Sequence, residues 1–162
     1  MRPNLLMDLK YLTVGDGTGA ITTSPIACVG FEQALFIITG TNNNLTALTI
    51  NAYGYDILAG TNKQKIGYWL RTCTDTLPDE QSAWVRYEAG SEAVVDTTAA
   101  TVVNYMVAID IAEAQSKLQA AGYTATGIGL ITGVAGAMTN SNIVAVLQPT
   151  RAKATQEAAL LA

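Results

Sequence analysis

Residues 34–56 read ALFIITGTNNNLTALTINAYGYD, and this stretch decides the fold class. Leu35, Phe36, Ile37 and Ile38 form a short apolar run, the pattern of a buried strand. Thr39-Gly40-Thr41-Asn42-Asn43-Asn44 follows with turn chemistry. The next segment alternates, with Thr46, Leu48, Ile50 and Ala52 on one side and Leu45, Ala47, Thr49, Asn51 and Tyr53 on the other. Period two, β-branched residues and a Gly/Asn turn predict a β-hairpin with one face on a core.

Outward from this stretch the chain keeps the same character. Before it, strands are expected at 9–14 and 26–29, separated by Gly15-Asp16-Gly17-Thr18-Gly19 and by the Ser24-Pro25 turn. The G-x-G-x-G run reads as a turn, because no βαβ unit follows it to cradle a phosphate. After it, strands are expected at 66–71, 83–88, 102–109, 126–132 and 142–147, with Pro149 closing the last. The period changes once. Ile111, Ala114, Leu118 and Ala121 fall at helical spacing, Asp110 and Glu113 form a capping box, and Gly122 is a stop. One short helix should therefore cross between strands at one end of the sheets. The expectation is a single mainly β domain over residues 1–162. It comprises a two-sheet antiparallel β-sandwich at 9–149, an N-terminal arm at 1–8 and an Ala-rich C-terminal tail at 150–162.

The chain has 162 residues, of which 49% are hydrophobic and only 14% charged, with a net charge of −4. Few charges over many Ala, Thr, Gly and Asn suggest a surface covered by partners. The nine basic residues form no patch, which disfavours direct nucleic-acid binding and membrane-surface binding. With no histidine, Ser-His-Asp and Cys-His catalysis and His-ligated metals are excluded. There is no P-loop. Asp75, Asp79 and Glu80 lack the EF-hand spacing and read as a solvated loop. Asn44-Leu45-Thr46 is a formal sequon without a signal peptide before it. Cys28 and Cys73 could make one disulfide, which spacing alone does not decide, and two buried free thiols are the favoured reading. No enzyme, cofactor or metal site is expected.

The C-terminal half carries a resemblance. Asn104-Tyr105-Met106-Val107-Ala108-Ile109-Asp110 leads through the helical crossing to Gly122-Tyr123, a Gly/Thr-rich strand, and Ile143-Val144-Ala145-Val146-Leu147-Gln148-Pro149-Thr150-Arg151. This is similar to the small β-sandwich accessory proteins of tailed-bacteriophage virions. Residues 34–56, with an apolar strand, a Gly-Thr turn and an alternating strand before a Tyr and an Asp, are similar too. The resemblance implies a capsid decoration or head-auxiliary protein. Such a protein is made in the host cytoplasm, assembles as a homo-oligomer, and has capsid or other virion proteins as partners. It also admits a tail-tube, neck or head–tail connector subunit. The Asn-rich turn and the long Ala-rich tail depart from the pattern. A different class, a carbohydrate-binding sandwich, would need Tyr53, Tyr55, Tyr68, Trp69 and Trp84 to form one stacking platform. The candidate interface residues are Arg2 and Leu5 in the arm, Arg151 and Lys153 in the tail, and Trp84 with Arg86. That last pair sets an aromatic and a cation side by side on one strand face.

Overall fold

The computed structural model describes residues 8–14, 21–42, 47–57, 62–74, 83–95, 102–123, 126–133 and 138–149. In chain order the elements are β1 (Asp8–Val14), β2 (Ile21–Thr22), β3 (Ile26–Ala27), β4 (Phe31–Asn42), β5 (Leu48–Asp56), β6 (Lys63–Lys65) and β7 (Tyr68–Thr74). Then come β8 (Val85–Tyr87), β9 (Ala93–Val95), β10 (Val102–Asp110), α1 (Ile111–Ala120), β11 (Thr126–Gly133) and β12 (Met138–Pro149). They build two antiparallel sheets and one helix, the class the sequence pattern predicts, with six strands in each sheet. The first sheet has the order β1-β12-β4-β10-β7-β8. The second has the order β2-β11-β5-β6, with β3 also on β11 and β9 also on β5.

The core lies between the sheets, where alternate residues of each strand meet. The first sheet contributes Phe36 and Ile38, Tyr105 and Val107, and Ile143 and Ala145, all buried. The second contributes Leu48, Ile50, Ala52, Ile128 and Leu130. Of the two sides of the alternating segment, the one with Leu48, Ile50 and Ala52 is thus the core side.

The predicted hairpin is not there. β4 pairs with β10 and β12, whereas β5 pairs with β11, β6 and β9. The two strands therefore lie in different sheets instead of side by side in one. Of the predicted turn, residues 39–42 belong to β4, and Asn43 and Asn44 lie outside the described residues. Alternation says which side chains point inward, and that is the same for a hairpin and for a crossing between sheets. A second correction is similar. The strand expected at 66–71 begins only at Tyr68, as β7; an unexpected strand, β6, precedes it in the other sheet, with Ile66-Gly67 between the two. Ile66 is buried, and its N–H bonds to the Ala52 carbonyl at 3.0 Å as the chain changes sheets.

The helix forms as its sequence dictates. Asp110 caps it, its Oδ1 accepting from the Glu113 N–H at 3.1 Å. Gly122 ends it with φ +85°. The Gly122 N–H bonds to the Gln119 carbonyl at 2.9 Å and the Tyr123 N–H to the Leu118 carbonyl at 3.0 Å, which is a Schellman motif. Ile111, Ala114 and Leu118 are buried and plug one end of the sandwich. Gly54 of β5 makes room for this: a methyl group there would lie 2.6 Å from both Leu118 δ-carbons.

Both cysteines are free thiols. Cys28 is buried, and burial pushes its pKa up to about 12, so it stays protonated and unreactive at neutral pH.

Candidate interaction face

Three long strands at the centre of the first sheet are apolar on both sides. Inward they carry the core residues. Outward β4 presents Leu35 and Ile37, β10 presents Met106 and Ala108, and β12 presents Val144 and Val146, each half-buried. The register sets these in two rows. Val146, Leu35, Ala108 and Trp69 lie side by side in one; Val144, Ile37, Met106 and Arg71 in the next. The helix sits at the end of the sandwich, and no described strand is stacked on this outer face. An antiparallel sheet with one face to water should alternate apolar and polar. Here the middle of the outer face is apolar.

The β7–β8 edge of this face is aromatic and cationic. Trp69 pairs with Arg86 across the ladder, and the Arg86 guanidinium lies 5.6 Å from the centre of the Trp69 ring. Arg71 lies 5.9 Å from the centre of the Trp84 ring. Each tryptophan thus has an arginine on one face, a favourable arrangement for a cation and a ring quadrupole. Arg86 is also held by Glu113 of α1, through its Nη2, and by Glu88, whose Oε1 is 3.5 Å from Nε. Its Nη1 is buried without a partner among the described residues. Trp69 is 42% exposed and Trp84 39%, high values for such large apolar rings. Trp84 helps line an apolar groove of about 250 Å³ with Leu35, Ala108, Val146, Gln33 and Gln148.

Of the residues singled out in sequence, Trp84 and Arg86 lie on this face. They are not stacked on each other, because each takes its partner from β7. Arg2, Leu5, Arg151 and Lys153 fall outside the described residues, as do Asp75, Asp79 and Glu80. The aromatic platform is not assembled. Tyr68 is fully buried in the core, Tyr55 is buried on the second sheet, and Lys63 covers Tyr53 at 5.0 Å from the ring centre. Trp69 and Trp84 belong to the other sheet. Sequence reasoning passed over Leu35, Met106, Ala108 and Val146. The signal for them was present: LFII, YMVAI and IVAVL are continuous apolar runs, and such runs mark strands covered on both faces.

Among the described residues no group of three or more acidic, cysteine or histidine side chains could hold a metal ion. Among them no helix is long and apolar enough to cross a membrane.

No protein-family model matches the chain, and no curated protein matches it in sequence. Among solved structures the chain is similar to the SPBc2 prophage-derived protein YomS. The identity is 13% and the TM-score 0.40, over 87% of this chain and 93% of that one.

Proposed function

We propose that this chain is a virion structural protein, a capsid decoration or head-auxiliary subunit that binds a phage shell in many copies. Its partners are other copies of itself and capsid proteins, and its work is contact, not chemistry. One observation carries the reading: the outer face of the first sheet is apolar across three central strands and ends in two exposed tryptophans. Large exposed apolar patches mark interaction sites, and tryptophan with arginine at a patch is the composition of binding hot spots. The sparse charge of the chain fits a surface meant to be covered. The sequence resemblance supplies the kind of partner. A shell repeats its sites, so each contact can be weak while the decorated lattice is firm.

Size-exclusion chromatography with light scattering, followed by negative-stain microscopy with and without capsids, tests this. The expected result is a homo-oligomer, or a monomer that becomes ordered in a regular array on shells. A monomer without affinity for any capsid would overturn the proposal. Free rings or tubes would move the same face to a neck or tail-tube subunit.

A further inference from the structure

The outer face of the first sheet is bounded as a contact surface is. Its two apolar rows lie between polar ones. At the helix end the next row is Gln148, Gln33 and Asp110, all exposed. At the far end it is Asn142, Thr39 and Asn104, half-buried. An apolar centre inside a polar rim is the anatomy of a protein–protein interface. The centre is not level. Ala108 is small where its neighbours in the row, Leu35 and Trp69, are large. It lines the apolar groove of about 250 Å³ that Trp84 walls.

Size limits what can cover this face. β12, β4, β10 and β7 lie about 4.8 Å apart and residues 33–40 extend about 27 Å, so this part of the sheet offers about 500 Å². Two such faces together bury about 1,000 Å², the size at which a specific contact begins.

We propose that the cover is the same face of a second copy, the two sheets packed about 10 Å apart on a two-fold axis that runs along β4. This axis sets β4 on β4, so Leu35 meets Leu35 and Ile37 meets Ile37. It exchanges β10 and β12, which flank β4. Val146 of each copy therefore enters the hollow at Ala108 of the other, and Val144 meets Met106. Bulk meets gap twice, so the face is complementary to itself. Charge selects this axis. It sends the edge with Arg71 and Arg86 to opposite sides in the two copies. The other in-plane two-fold, running across the strands, would crowd the arginines of both copies at one edge. The inference rests on the reading of this face as the contact surface and names a second copy as its partner.

Sedimentation velocity of the full chain without capsids should show a dimer that dissociates on dilution. Two variants test the axis. Ala108→Val sets valine against Val146, and Val146→Ala leaves a gap against Ala108. Each alone should raise the dimer Kd about ten-fold. Mixed, they should form heterodimers at nearly the parent's affinity, because every valine again meets an alanine; native mass spectrometry counts them. β4 separates the two positions within one chain, so this rescue arises only between copies. A measurement that leaves this pair intact uses Ile37→Cys in a Cys73→Ser background, Cys28 being buried. A short bismaleimide should join two such chains. It should not join chains carrying Val94→Cys, an exposed position on the second sheet. A monomer at every concentration, a mixture no tighter than its components, or cross-linking at position 94 in place of 37 would overturn the proposal. Monomers that bind shells through this face overturn it and leave the proposed function standing. Dimers joined here that bind no shell support it and overturn the proposed function.

Discussion

Tyr68 ties the two sheets together by hydrogen bonds as well as by packing. It belongs to β7 of the first sheet, yet its hydroxyl donates to the Ile50 carbonyl of β5 at 2.6 Å and accepts from the Ala93 N–H of β9 at 2.9 Å. Its ring stacks on Tyr87 at 5.2 Å between centres. Tyr68→Phe would leave a buried N–H without its acceptor and a carbonyl without its donor. The expected cost is about 1–3 kcal/mol, read as a lower urea midpoint with an unchanged slope. The same residue sets a pH dependence. Burial, the largest cause, pushes the Tyr68 pKa up to about 12, and burial pushes Cys28 to about 12. In the unfolded chain both ionise at their lower ordinary values, so above those values the unfolded state holds fewer protons than the folded one. Stability is therefore complete below pH about 9 and falls as the pH rises towards about 12. Urea midpoints across that range should show the fall, and Tyr68→Phe should make it shallower above pH about 10. The sequence marked Tyr68 only as an aromatic on a strand. Its bonds reach residues 18 and 25 positions away, and one-dimensional spacing holds no trace of such partners.

At the scale of elements, what was legible was local. The helix was readable to its caps because Asp110, Glu113 and Gly122 act on backbone groups within a few residues of themselves. The pairing of β4 with β10 and β12 was not readable, since those ladders join residues far apart in the chain. The expected hairpin failed for that reason, although the alternation read in its second strand holds, with Leu48, Ile50 and Ala52 on the core. The docking of α1 belongs to the non-local part as well. It depends on Gly54, where a side chain would strike Leu118. Gly54→Ala should destabilise the protein by about 1–3 kcal/mol, as overpacking does. Leu118→Ala alone should cost about 2–5 kcal/mol by leaving a cavity. Combined, the two should cost clearly less than their sum, because the new methyl enters space that the leucine vacates. A double-mutant cycle from urea unfolding measures this. Additive costs would mean that the helix does not rest on β5 at this point.

For the whole molecule the question is which surface meets the partner. The second sheet's outer side carries Lys63 over Tyr53, and Lys65 within 3.9 Å of Glu92, so charged groups dress it. Among the described residues, the first sheet's outer side has its cations at the β7–β8 edge and is apolar through the centre. Met106 sits in that centre, with Ile37 on one neighbouring strand and Arg71 on the other. Met106→Glu is therefore a selective test. The side chain points away from the core, so no cavity forms between the sheets. The new carboxylate lies directly across the ladder from the Arg71 cation, an arrangement worth a few tenths of a kcal/mol in its favour. The fold should hold, with a stability change within about 1 kcal/mol and an unaltered circular dichroism spectrum. Association is another matter. A carboxylate in the middle of an apolar contact must be stripped of water, a cost that the neighbouring Arg71 offsets only in part, so affinity should fall by about ten-fold or more. Light scattering and co-sedimentation with capsids should show the variant folded but dispersed and unbound. If Met106→Glu assembles as the parent chain does, the contact lies elsewhere, and the apolar centre of this sheet has some other cover.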